Sequence, residues 1–96
     1  MTDGTVDVAD IYSTTPSITA NNLVTLTDPK NLIAAQNVVP LIREDAESDK
    51  VEETLDAVSA KITTEELLKL NTAFAGDSKP SAADVAADWL KANGFA

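Results

Sequence analysis

Val6-Asp7-Val8-Ala9-Asp10-Ile11-Tyr12 mixes β-branched and aromatic side chains with short polar ones, and its reading decides what kind of fold the chain can make. The pattern predicts a strand that ends near Tyr12. Beyond it, Thr14-Thr15-Pro16-Ser17 supplies a turn and Asn21-Asn22 a second, since proline presets φ and asparagine tolerates the left-handed region. Leu23-Val24-Thr25-Leu26 then reads as a short strand, followed by a Thr27-Asp28-Pro29-Lys30-Asn31 turn. Asn37-Val38-Val39-Pro40-Leu41-Ile42 is β-rich as well. Pro40 has no amide donor, so this segment belongs on a sheet edge, at a bulge or at a crossing between lobes.

The second half has a different period. After the acidic run Arg43 to Asp49, Asp49 with Glu52 resembles a capping box, and Val51, Leu55, Val58 and Ile62 recur at helical spacing as one buried stripe running to about Lys61. Thr63-Thr64-Glu65-Glu66 repeats the cap signal for a helix whose apolar face is Leu67, Leu70 and Phe74 and which Gly76 stops. A third helix starts at Ser81, with Asp84 three residues on and Pro80 setting its entry. It buries Val85, Trp89 and Leu90 and ends at Gly94, where Phe95 can fold back. The expected class is therefore α/β: strands and a crossing segment in 1–42, three helices in 49–94, and one single partial domain over 1–96. A few strands followed by consecutive helices leave sheet faces bare, so the architecture looks like part of something larger.

Ninety-six residues suffice for one small domain and fall short of two lobes enclosing a ligand. Sixteen carboxylates against seven cationic side chains give a net charge of −9, which opposes phosphate backbones and anionic lipid, so nucleic acid is not an expected partner. Carboxylates in such numbers are ordinarily a solvated face, and no calcium-loop spacing occurs among them. Cysteine and histidine are both absent, which removes disulfides, thiolate chemistry and the usual parts of zinc sites and hydrolytic triads. Met1 precedes Thr2-Asp3-Gly4 with no basic stretch or apolar leader core, and no apolar run of about eighteen residues is present. For a piece of a longer protein this says nothing about where the parent resides.

An enzyme is not expected. Ser13 and Ser59 have no histidine to activate them, and Lys61 or Lys69 would need a buried site to serve as a base. Gly4, Gly76 and Gly94 lie too far apart for a phosphate-binding loop, and no cofactor is implied. Tyr12 attracts a functional reading because ligands of α/β sheets collect outside strand ends, and an aromatic face there can hold a cation. The alternative is a tyrosine at a sheet edge with a wet hydroxyl, which the residues alone favour. Trp89, one turn from Val85, reads as a core anchor.

Taken in order, Val6 to Thr14, Asp28-Pro29-Lys30-Asn31, Gln36 to Leu41, Leu55 to Thr63, Glu66 to Asn71 and Val85 to Gly94 resemble the glycine betaine, carnitine and choline-binding proteins of osmoprotectant ABC importers. The likeness covers nearly the whole chain but only the C-terminal segment of those longer proteins. It implies a partial lobe of a type II periplasmic-binding-protein-like fold. It further implies that Tyr12 is one wall of an aromatic box around a trimethylammonium group, with Ser13 and Thr14 beside it. A quaternary ammonium cannot donate hydrogen bonds, so π-faces are its natural partners. Two positions depart from the family pattern: Thr15 stands where Asp is frequent, and Ile33-Ala34 where Phe-Pro is frequent.

The expected function is that of a fragment of an extracytoplasmic solute-binding protein. Its parent would capture quaternary-ammonium osmoprotectants such as glycine betaine, choline or carnitine and present them to ABC permease subunits. The alternative is a stand-alone acidic interaction domain that forms a homodimer through its helical half or an open sheet edge.

Overall fold

Two of the longer helices in this chain begin where a serine side chain caps an apolar-periodic segment, and the shortest begins at a proline with no side-chain cap. The computed structural model describes all residues from Met1 to Ala96. It contains four α-helices, α1 Ser17–Ala20, α2 Asp49–Ser59, α3 Thr64–Phe74 and α4 Ala82–Ala92, with one 3-10 turn over Glu44–Ala46. Two units divide the residues: Met1–Thr25 with Thr64–Ala96 is the first, and Leu26–Thr63 the second.

In the first unit α3 packs on α4. The start of α4 is a reciprocal cap: Ser81 Oγ accepts from the Asp84 N–H at 3.1 Å, and Asp84 Oδ2 accepts from the Ser81 N–H at 3.3 Å and from its hydroxyl at 2.7 Å. Those contacts satisfy donors that a helix start otherwise leaves open. Ser81→Ala is expected to lower stability by about 1 kcal/mol, read as a lower urea midpoint by circular dichroism. An unchanged midpoint would mean that the Asp84 side chain alone carries the cap.

The end of α4 is equally defined. Gly94, at φ +78°, lets its own N–H donate to the Lys91 carbonyl and the Phe95 N–H to the Leu90 carbonyl at 2.9 Å. This is the six-to-one and five-to-two pair of a Schellman cap. It carries Phe95 back along the helix, where its ring stacks on Trp89 at 6.1 Å. The short α1 ends in the same way, with Asn22 at φ +52° and Leu23 donating to the Ile18 carbonyl. Asparagine is the side chain best able to take the left-handed position when glycine is absent.

The second unit consists of irregular backbone, the 3-10 turn and α2. Asp28 Oδ2 accepts from the Ile33 N–H at 3.0 Å and closes the Asp28 to Asn31 turn. The amides of Ile33, Leu32 and Lys30 hold its carboxyl below the usual aspartate value. The cap of α2 is Ser48, whose Oγ accepts from the Val51 N–H, and Asp49 is instead the first helical residue. Sequence spacing fits either serine or aspartate, and the extended backbone of Ser48, at φ −159° and ψ 153°, selects it.

The expected α/β class is overturned. No strand or sheet forms, so the chain is not an α/β partial lobe of a type II periplasmic-binding-protein-like fold with strands in its first half. Val6 to Tyr12, Leu23 to Leu26 and Asn37 to Ile42 carry β-favouring residues, but a strand exists only when a neighbour takes its N–H and C=O groups. No ladder forms between these segments, and their backbones remain open to water. The stripe along α2 is likewise not buried. Val51 is exposed, and Leu55, Val58 and Ile62 are half-buried.

No side chain in the chain is fully buried, and 8154 Å² is accessible. Local caps and the α3/α4 contact, rather than a shared apolar interior, therefore hold the helices. No helix is long and apolar enough to cross a membrane.

Candidate functional site

Tyr12, Ser13 and Thr14 lie together on one turn of the first unit. The Thr15 N–H donates to the Tyr12 carbonyl at 3.0 Å, and the Ile18 N–H donates to the Thr15 carbonyl as the chain enters α1. Ser13 and Thr14 are thus the central residues of the turn. Pro16, with its fixed φ, starts the helical turn that follows.

The turn is tied to α3 by one side chain. Asn71 Nδ2 donates to the Thr14 carbonyl at 2.9 Å across fifty-seven residues of sequence. Thr14, Thr15 and Pro16 are half-buried, while the Tyr12 side chain is 80% exposed and Ser13 is exposed. The backbone of the turn is therefore held and the phenol ring is presented.

The other aromatic groups of the first unit are arranged differently. Trp89 and Phe95 stack on each other with an interplanar angle of 19°. The indole N–H of Trp89 donates to Glu66 Oε2 at 3.2 Å, which links α4 to α3. Lys69 donates to Glu66 Oε1 at 2.8 Å and pairs with Glu65 at 3.1 Å. The Lys69 hydrogen bond, then that of Trp89, holds the Glu66 carboxyl below the ordinary glutamate value, and the two glutamates raise the Lys69 ammonium. Trp89 thus links α4 to α3 but stays half-buried, short of the buried core position that its helical spacing predicts.

One exposed π-face contributes about 0.5–1 kcal/mol to a cation, and about 2 kcal/mol only when several faces desolvate it. Tyr12 offers a single wall with hydroxyls beside it. The structure brings Tyr12, Ser13 and Thr14 onto one turn but encloses no cage around them. Asn71 is the residue that sequence reading left without a role here: an exposed asparagine on a helix has no periodicity that reveals a distant carbonyl partner.

The second unit holds an open recess of about 280 Å³ lined by Pro40, Ile42 and Leu55 with Glu47, Glu52 and Asp56. Its carboxylate rim disfavours anions.

A family model, OpuAC, described as the substrate binding domain of the ABC-type glycine betaine transport system, matches residues 1–92. No curated protein and no solved structure matches the chain. The family match takes in the Tyr12 turn, Asn71 on α3 and the Trp89 pair's indole. Covering nearly every residue, it shows that the chain belongs to the family of substrate-binding domains of ABC-type glycine betaine transport systems.

Proposed function

We propose that this chain is a portion of an extracytoplasmic solute-binding protein and contributes Tyr12, with Ser13 and Thr14, to the recognition of a quaternary-ammonium osmoprotectant. Glycine betaine is the first candidate, and choline and carnitine share the same head group. The parent delivers the bound solute to the permease subunits of an ABC importer and catalyses no reaction itself. The family match over residues 1–92 carries this reading, and an exposed Tyr12 ring on an anchored turn supports it.

The physical division of labour is the main consequence. Association costs about 4–15 kcal/mol in lost freedom, against about 1 kcal/mol from one exposed aromatic face. Tyr12 becomes effective when further walls, supplied by residues outside this chain, exclude water from the trimethylammonium group. The turn's fixed backbone then matters, because a backbone already ordered loses less entropy on binding.

Calorimetric titration with glycine betaine tests both halves of the proposal. The chain alone is expected to show no binding tighter than about 1 mM. In a longer protein containing these residues, Tyr12→Ala should weaken binding by about tenfold or more. Micromolar binding to the chain alone would overturn the division of labour. Wild-type affinity in the longer Tyr12→Ala protein would remove Tyr12 from the site.

A further inference from the structure

Among the asparagines of the chain only Asn93 is followed by glycine, and this pair sits at the end of α4. Glycine carries no Cβ to shield its amide nitrogen, so that nitrogen can approach the preceding carboxamide more readily than any other residue's. The two groups are held in one molecule, which makes the encounter intramolecular. We infer that Asn93-Gly94 is a latent deamidation site, gated by the Schellman cap of α4.

The chemistry needs only water. The Gly94 nitrogen attacks Asn93 Cγ, an N–Cγ bond forms, and the Cγ–Nδ2 bond breaks. Ammonia leaves, taking up the proton lost from the Gly94 nitrogen. Water then opens the resulting cyclic imide at either carbonyl and returns a proton to that nitrogen, giving aspartate or isoaspartate. The sum is an amide and water converted to a carboxylate and ammonium.

Folding restrains each reacting group. The Gly94 N–H donates to the Lys91 carbonyl at 3.1 Å, and the Asn93 N–H to the Trp89 carbonyl at 3.1 Å. The leaving group is held as well, because Asn93 Nδ2 donates to the same Trp89 carbonyl at 2.9 Å. Asn93 is half-buried, at φ −99° and ψ 3°. Attack requires the Gly94 N–H to leave its carbonyl and the carboxamide to swing away from Trp89. Both occur when the last turn of α4 frays, the opening that helix ends undergo most readily.

Once made, aspartate weakens the end of α4, and isoaspartate breaks the cap. A carboxylate at the C-terminus of α4 opposes the helix dipole and has no N–H to give to the Trp89 carbonyl. Isoaspartate also lengthens the main chain by one methylene, which shifts the Gly94 and Phe95 amides off the Lys91 and Leu90 carbonyls. Phe95 then comes away from Trp89. The modification is a one-way release of the stacked pair.

The experiment is a timed incubation of the full chain at mildly alkaline pH, with and without urea, followed by peptide mass mapping and enzymatic methylation of isoaspartate. A gain of one mass unit is expected in the Asn93-Gly94 peptide, about tenfold slower in the folded chain than in urea. Phe95→Ala keeps the reacting pair and removes the stack, and should bring the folded rate at least about threefold closer to the urea rate. Asn93→Gln should abolish the signal, which separates it from isoaspartate formed at Asp3-Gly4, where no mass changes. Equal rates with and without urea, an unchanged rate in Phe95→Ala, or a mass gain centred on another asparagine would each overturn the inference.

Discussion

Trp89→Ala is expected to lower the stability of the first unit by about 2–3 kcal/mol, the largest loss available from any single side chain here. A fully buried tryptophan truncated to alanine loses about 3–5 kcal/mol, and the half-buried position of Trp89 places it below that range. Three contacts end together: the stack on Phe95, the indole donation to Glu66, and the apolar body between α3 and α4. No side chain of the chain is fully buried, so little else can take up the loss.

Small domains have about 0.05–0.15 kcal/mol of stability per residue, so such a change is a large share of the whole. The helical signal of α3 and α4 should fall already in buffer, and the urea midpoint should move sharply down. Tyr12→Ala, by contrast, removes an exposed ring and should stay within about 0.5 kcal/mol of wild type. If Trp89→Ala kept the wild-type midpoint, the α3/α4 contact would have to be held by Leu67, Leu70 and Val85 instead. Trp89→Phe separates the contributions in part, since it retains an aromatic partner for Phe95 while removing the donor to Glu66 and some of the ring's apolar area.

The three longer helices were legible because their signals are local, whereas the stretch that forms α1 reads only as a turn. Ser81 with Asp84, the spacing of Val85 and Trp89, and Gly94 before Phe95 each specify a short piece of backbone from residues within it, and each stands where the spacing places it. The strands were misread for the opposite reason. The residues of Val6 to Tyr12 favour extended backbone, but a strand also needs a partner whose presence the segment's own composition does not encode. The cap of α2 lay between those cases: Ser48 and Asp49 are adjacent competent caps, and backbone geometry decides between them.

The candidate site divides along the same line. Pro16 and the polar run before it announce a turn but not its register: the sequence reading ends a strand at Tyr12 and sets the turn at Thr14 to Ser17, whereas the turn runs from Tyr12 to Thr15. What anchors the turn is Asn71 on α3, and no property of the sequence near either residue announces a hydrogen bond across that separation. The family resemblance was carried by the order of motifs along the chain, which is independent of whether the backbone forms a sheet.

Acid should loosen the link between α3 and α4, and the chain's single tryptophan reports it directly. Glu66 accepts from Trp89 and Lys69, and these bonds favour its ionised form, so its folded value lies below 4.5. A carboxyl depressed on folding contributes stability that is fully present above its unfolded value and disappears as pH falls through the folded one. Loss therefore begins below about pH 4.5 and continues downward. Lys69 has the opposite sign: its value is raised above 10.5, so its contribution is present below that pH and lost only in strong alkali.

Falling pH also relieves the self-repulsion of a chain with net charge −9, which opposes any acid-induced loss and makes global unfolding a poor readout. Trp89 emission isolates the local event, because the indole touches the titrating carboxyl. Other charges on the two helices, Glu65, Asp84, Asp88 and Lys91, add background that Glu66→Gln leaves in place. Wild-type emission is expected to titrate with a midpoint below 4.5, whereas Glu66→Gln should start near the acid value and stay flat. A midpoint at or above 4.5, or the same curve in Glu66→Gln, would mean that Trp89 senses a different carboxylate and that the α3/α4 link rests on its apolar contacts alone.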